Sequence, residues 1–314
     1  MARIWEKLMA LLNFRREARP ASPVMPEMEE FLEGYSIETM PRTAGKVEDF
    51  RLLLPARSRV YIAHIEGTPI DEMVATAARL RREGFEPMPH IPARIIRDRA
   101  MLADWIERYR GEADLRQALL IAGGVARPHG DFHSSMQMME TGLFDGFERL
   151  HVAGHPEGNR DIDPGGGDRG VMEALRWKLD FARHSDAEMA IVTQFAFEAA
   201  PVIAWVERLR EEGITLPVHI GAAGPAKLQT LIRFAIACGV GPSLKVLQKR
   251  AKDVTKMLLP FEPTEFLGDL ARHKAANPDF GVEAVHFFPL GGIKANAEWA
   301  IAHGGRAAIP AAQA

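Results

Sequence analysis

The chain has 314 residues, with 39 Lys and Arg against 42 Asp and Glu, for a net charge of −3. Its 47% hydrophobic and 26% charged residues are those of an ordinary globular protein, long enough for one α/β barrel or about two smaller domains. The slightly acidic balance disfavours a nucleic-acid-binding surface, and the single cysteine, Cys238, excludes an internal disulfide framework and a thiolate zinc cluster; a reducing, cytoplasmic compartment fits that usage.

Residues 1–30 open with Ile4, Trp5, Leu8, Met9, Leu11, Leu12 and Phe14 interleaved with Arg3, Lys7, Arg15, Arg16 and Arg19. Glu6 and Lys7 interrupt the apolar centre that a signal peptide needs, so the pattern predicts an amphipathic helix docked on its own domain or on a neighbouring subunit. No apolar run reaches the ~18 residues of a membrane span. From residue 31 to 303, short apolar runs alternate with amphipathic stretches. The runs are 35–39, 59–65, 86–93, 117–124, 149–157, 188–197, 217–224 and 283–290, each bounded by Gly, Pro or charge, as buried parallel strands are. Helical periodicity fills the gaps, most clearly over 70–82, where Met73, Val74, Ala77 and Leu80 share a stripe and Gly84 follows as a stop. Residues 98–110, 171–181, 199–212 and 226–237 read the same way. The stretch 242–276 reads as two or three helices broken at Pro260 and Pro263, inserted before the last strand, and 304–314 reads as a frayed tail. Eight strand–helix alternations in about 270 residues predict a (β/α)8 TIM barrel.

In such a barrel the functional face lies at the C-terminal strand ends. Those ends carry Glu38, His64 with Glu66, His90, Gly123-Gly124, His155 with Glu157, Gln194, Gly221 with Gly224, and Phe287-Phe288. A lone histidine at a strand end is ordinarily a satisfied core or surface imidazole; polar groups converging from at least five strands point to a site. No P-loop, His-Glu-x-x-His, G-x-S-x-G or dinucleotide G-x-G-x-x-G pattern is present. Gly165-Gly166-Gly167 reads as loop, and the Met136, Met138, Met139 group as core filling. His64, Glu66, His90 and His155 are of metal-ligating types, but no metal site is expected from them.

Five segments, in order, resemble the methylenetetrahydrofolate reductase family. They are Ser36-Ile37-Glu38-Thr39-Met40-Pro41-Arg42, Pro89-His90-Ile91, His155-Pro156-Glu157, Thr193-Gln194-Phe195-Ala196-Phe197-Glu198, and Ile220-Gly221 with His286-Phe287-Phe288. The resemblance spans about residues 35–299. It implies an oxidoreductase of folate one-carbon metabolism that reduces 5,10-methylenetetrahydrofolate to 5-methyltetrahydrofolate with NAD(P)H, on the route to methionine, or runs the reverse oxidation. The alternative is a folate-binding barrel paralogue without redox activity. A lyase or aldolase would want a strand-end lysine for a Schiff base, and none is present.

Carried over residue by residue, Glu38 matches the general acid that protonates the departing N10 amine of the substrate. Gln194 matches the residue that reads the pterin edge, with Phe195, Gly221 and Phe288 completing the substrate pocket. His64, His90, Gly123, Gly124, His155, Glu157 and Lys178 fall at cofactor-contact positions. Strand four departs from the family: its usual Arg-Gly-Asp end is replaced by Ala122-Gly123-Gly124, so FAD, which the family implies, is expected to bind weakly or not at all. Folate and nicotinamide are the expected partners, with no nucleic acid and no membrane. The N-terminal helix and the 242–276 insertion are candidate homo-oligomer contacts, or they pack on the barrel itself.

Overall fold

The computed structural model describes residues 25–237, 246–248 and 260–305. The expected amphipathic helix over residues 4–19, Cys238, much of the 242–276 insertion and most of the expected tail lie outside the described residues.

Eight parallel strands close into a barrel in sequence order: β1 Ser36–Thr39, β2 Arg59–Ile62, β3 Glu86–Pro92, β4 Gln117–Ile121, β5 Arg149–Gly154, β6 Glu188–Ala196, β7 Val218–Ala223 and β8 Val282–Phe288. β8 returns to β1 through Ser36 opposite His286 and Ile37 opposite Phe287. The expected (β/α)8 TIM barrel is therefore the fold. Side chains alternate between its two faces. On β2, Val60 and Ile62 join the main core under the helices, whereas Tyr61 turns inward to meet Met88, Leu119 and Val192.

The helix over Ile70–Arg82 has the predicted limits. Met73, Val74, Ala77 and Leu80 are buried, Asp71 and Glu72 sit at its positive end, and Arg79, Arg81 and Arg82 at its negative end. The chain then turns at Gly84, with φ +88, where a Cβ would be strained. The helix Arg99–Ala113 starts at Asp98, whose carboxylate accepts from Met101 N at 2.8 Å. Arg169–Arg183, Ala199–Glu211 and Leu228–Ala237 follow β5, β6 and β7, and Ile293–Ala302 follows β8. Within the expected insertion, Thr264–Ala276 is helical with Pro263 at its N-cap. It packs against the short helix Pro26–Phe31, where Gly268 leaves room for the methyls of Met25 and Met28. Among the described residues, no helix is long and apolar enough to cross a membrane.

Several strands end earlier than the apolar runs suggest. β2 stops at Ile62, β4 at Ile121 and β5 at Gly154, so His64, Gly123, Gly124, His155 and Glu157 lie in the loops beyond their strands. The reasons are local: Gly123 has φ +92, and Pro156, two residues past the end of β5, has no N–H to extend the ladder. β3 tolerates three prolines because its pairing changes partner, to β2 over Glu86–Pro89 and to β4 over His90–Pro92. The orphan carbonyl of Pro87 accepts from Gln117 Nε2 at 2.9 Å.

Candidate active site

Glu38, His90, Gln194, Phe288 and Gly221 all come from the C-terminal halves of their strands, so the barrel brings five strands' worth of predicted site residues to one end. Glu38 Oε2 lies 3.4 Å from His90 Nε2 and 3.9 Å from His286 Nε2. Its side chain keeps one-fifth of its surface, while His90 and His286 are almost wholly covered. Burial pushes the Glu38 carboxyl above its ordinary range. A protonated His90 would pull it down, but burial holds His90 at about 4 and His286 at about 3, so both imidazoles are neutral near pH 7. Ser36 Oγ fixes His286 through Nδ1 at 2.9 Å. The result is a carboxyl group that keeps its proton to higher pH than a free glutamate, at the open end of the barrel.

The other wall is apolar. Phe195 meets Phe288 at 5.4 Å between ring centroids and Phe197 at 5.8 Å, and Phe197 meets Phe261 at 5.1 Å. These rings, with Ala223, Leu228 and Leu231, form a small core of their own over β6–β8. Gly221 sits beneath them. β6 shifts register between Val192 and Phe195, and Gly221 N donates to Thr193 Oγ1 at 2.9 Å. Gln194 follows Thr193 in that irregularity, and its Oε1 is buried with no hydrogen-bond partner in the protein. A buried carbonyl oxygen without a donor is a costly state that a ligand N–H relieves.

The predicted cofactor residues divide. Lys178 is buried on the helix after β5, with one long contact to Ala153 O at 3.4 Å, and burial lowers its ammonium to about 8. Burial, and then the nearby Lys178 charge, hold His155 at about 4. An ammonium with one weak acceptor fits an anionic or oxygen-rich cofactor group. His64 stacks on Trp105 at 4.8 Å with its Nε2 bound to Thr68 O at 3.0 Å, and it lies within electrostatic reach of His90. Gly123 leaves space beside Pro92, and Gly124 faces open space. Glu157 is half-buried in the loop after β5. Glu66 is exposed and paired with His129 at 2.8 Å, apart from the carboxyl–imidazole group.

Loops next to the end of β4 carry charged side chains. Arg94, after β3, donates to Val125 O and His133 O and pairs with Asp161 at 2.6 Å. Its own N–H reaches Ala122 O at 2.9 Å, so the guanidinium is held beside the Ala122-Gly123-Gly124 turn. Sequence reasoning gave no role to Arg94, Tyr61, His151, His219 or His286, naming the last only as part of the His286-Phe287-Phe288 segment. The inward-facing period-two positions of β2, β5, β7 and β8 were the signal that could have found the last four.

The buried imidazoles make the fold sensitive to acid. The unfolded chain takes up protons below about pH 6.5, whereas folded His90 and His155 resist to about 4 and His286 to about 3. Stability from these groups is complete above 6.5 and is lost as pH falls towards 4. For His90 alone the loss is of order 3 kcal/mol. Glu38 acts in the opposite sense, lowering stability as pH rises above 4.5. Urea unfolding midpoints should therefore fall between pH 6.5 and 4, and less steeply in His90→Leu; an unchanged slope in that variant would mean His90 is not held neutral.

No family model matches the chain. Among solved structures, an uncharacterized protein from Clostridium thermocellum that binds two copies of 5-methyl-5,6,7,8-tetrahydrofolic acid is similar over 88% of this chain and 96% of its own, at 10% identity and a TM-score of 0.53. A conserved protein of unknown function from Enterococcus faecalis is similar over 87% of this chain and 66% of its own, at 12% identity and a TM-score of 0.44. At these identities the likeness is one of fold.

Proposed function

We propose that the barrel mouth binds a reduced folate and exchanges hydride with it, reducing 5,10-methylenetetrahydrofolate to 5-methyltetrahydrofolate with NAD(P)H or running the reverse oxidation. The observation that carries this reading is Glu38: a carboxyl group covered by two neutral imidazoles, with its proton affinity raised, and with the Phe288–Phe195 aromatic pair reached through His286. The methylene bridge must open before hydride arrives, and opening needs a proton on the departing N10 amine. A carboxylic acid whose hold on its proton is strengthened by burial supplies it. Gln194 offers a carbonyl with no internal donor, suited to the N–H edge of a pterin, and Phe195 and Phe288 offer a flat apolar surface for its ring. The folate bound by the Clostridium thermocellum protein, whose barrel is similar, supports the choice of ligand.

Nicotinamide is the hydride source in this reading. Lys178 and His155 are the residues that would hold a flavin if one binds, and a flavin would supply hydride transfer between nicotinamide and folate. Arg94 and Asp161 stand where the loss at β4 is greatest, but each is already engaged by the other, so we place flavin affinity as weak.

Calorimetric titration with 5-methyltetrahydrofolate, paired with NADH oxidation in 5,10-methylenetetrahydrofolate with and without FAD, tests the reading. Saturable binding with turnover is expected. Binding without turnover under any cofactor would favour the non-catalytic folate-binding alternative, and no binding would end both. Gln194→Ala should weaken folate binding by about 1–3 kcal/mol with the melting temperature unchanged; unaltered affinity would place the pterin elsewhere.

A further inference from the structure

At the end of the barrel opposite Glu38, a cavity of about 330 Å³ lies among the N-terminal strand ends, where this fold ordinarily places residues that serve stability. Part of its wall is settled internally. Arg149, the first residue of β5, donates to Glu188 Oε2 at 2.7 Å and to Gln117 Oε1 at 3.0 Å. That guanidinium and that carboxylate neutralise each other. Arg59, the first residue of β2, has no such counterpart. Glu86 lies opposite it on β3 but pairs with Arg57 and Arg149 instead. The Nε of Arg59 is buried with no hydrogen-bond partner, and among the described residues Arg59 forms no ion pair. It does hold one hydroxyl. Tyr61, fully buried, accepts a hydrogen bond from the Arg59 side chain, and the same hydroxyl lies 2.6 Å from His151 Nδ1. With a lone pair given to the guanidinium, the hydroxyl donates its hydrogen to Nδ1, so His151 carries its own on Nε2. His151 also lines the cavity, and burial keeps it neutral, so it offers an N–H there rather than a charge.

The facing negative charge is delivered by an irregularity in the sheet. β7 and β8 slip by one residue at this end: Val218 pairs with Val282, but His219 pairs with Ala284. Glu283 is the extra residue, and a bulge of this kind re-aims its side chain. Here it lines the cavity, 3.3 Å from His219 Nε2, and keeps 60% of its surface. Burial keeps His219 neutral, so Glu283 has a hydrogen-bond donor but no cation of its own. That bond first, and beyond it the Arg59 and Arg149 charges, hold the Glu283 carboxyl below its usual range. β2 and β8 are the two neighbours of β1, so Arg59 and Glu283 face one cavity from either side of that strand. Met189, Ala190 and Pro217 add an apolar wall.

We infer that this cavity binds a small aliphatic α-amino acid, with its carboxylate on Arg59 and the His151 N–H, its ammonium on Glu283 and its side chain on the apolar wall. A carboxylate supplies the anion that the partly buried guanidinium lacks, and an ammonium supplies the cation that Glu283 lacks. A lone anion would also meet Glu283, and a lone cation would also meet Arg59. A zwitterion answers both charges and adds no net charge to the site. The site lies at the far end of the barrel from the mouth and needs neither Glu38 nor a folate.

Calorimetric titration of the full chain with L-leucine tests the assignment. Saturable binding is expected, roughly tenfold or more tighter than for isocaproate, which lacks the ammonium, or isopentylamine, which lacks the carboxylate. Glu283→Gln changes a mostly exposed side chain, so the fold should survive it. It should weaken leucine binding roughly tenfold or more and leave isocaproate no weaker than in wild type. Arg59→Gln should weaken leucine by a similar factor and leave isopentylamine no weaker; should that variant fail to fold, Glu283→Gln and the two analogues decide the matter alone. No saturable leucine binding, equal binding of all three compounds, or wild-type leucine affinity in Glu283→Gln overturns the site. Glu38→Gln, at the opposite end, should leave leucine affinity unchanged. A loss of leucine binding there would put the amino acid at the mouth and overturn the assignment as well. None of these readings depends on whether the protein reduces a folate.

Discussion

Glu38→Gln is expected to lower the rate of methylenetetrahydrofolate reduction by roughly 10²–10⁴-fold, the range for losing a general acid. The amide keeps the volume and much of the hydrogen bonding of the protonated carboxyl, so 5-methyltetrahydrofolate affinity should change only a few-fold. Wild-type activity should fall as pH rises through the raised Glu38 value, because the group is active when protonated; the variant should lose that limb. Single-turnover NADH oxidation across pH measures both effects. Near-full activity in the variant would leave Glu38 a structural role. Glu66, the other acid near the mouth, is a poor substitute, because it is exposed and already paired with His129.

Gly221→Ala is the other large effect. A Cβ built there would stand about 2.5 Å from Gln194 O and 2.6 Å from Thr193 O, both backbone atoms of β6. Backbone in the centre of a closed sheet cannot step aside as the end of a long side chain can. The substitution should cost about 1–3 kcal/mol of stability, as overpacking does. It should also weaken folate binding, because β6 can only make room by carrying Gln194 with it. Chemical denaturation and ligand titration on the same preparation check the pair. A variant as stable as wild type, with unchanged affinity, would show that the β6 irregularity absorbs the methyl group.

The barrel itself was legible because each strand is a short apolar run bounded by breakers, and each helix carries a stripe such as Met73, Val74, Ala77 and Leu80. Glu38, His90 and Gln194 were legible because functional groups in this architecture gather at strand ends. What sequence hid is the contents of the barrel. Tyr61, His151, His219 and His286 sit inside strands that read as apolar runs, and nothing local distinguishes an inward from an outward position until the sheet closes. Arg94 was hidden for another reason: its partners, His133 O, Val125 O and Asp161, come from loops far along the chain. His64 was read at the mouth from its place after β2; it lies within electrostatic reach of His90 and also stacks on Trp105, a contact that no local pattern announced.

The most direct test of the central claim is product formation by the purified protein, without added flavin. NADH and 5,10-methylenetetrahydrofolate are supplied together, and 5-methyltetrahydrofolate is quantified against NADH consumed. The account predicts one 5-methyltetrahydrofolate per NADH in wild type, with formation nearly abolished in Glu38→Gln. NADH stable in the presence of bound folate, with and without added FAD, would contradict it.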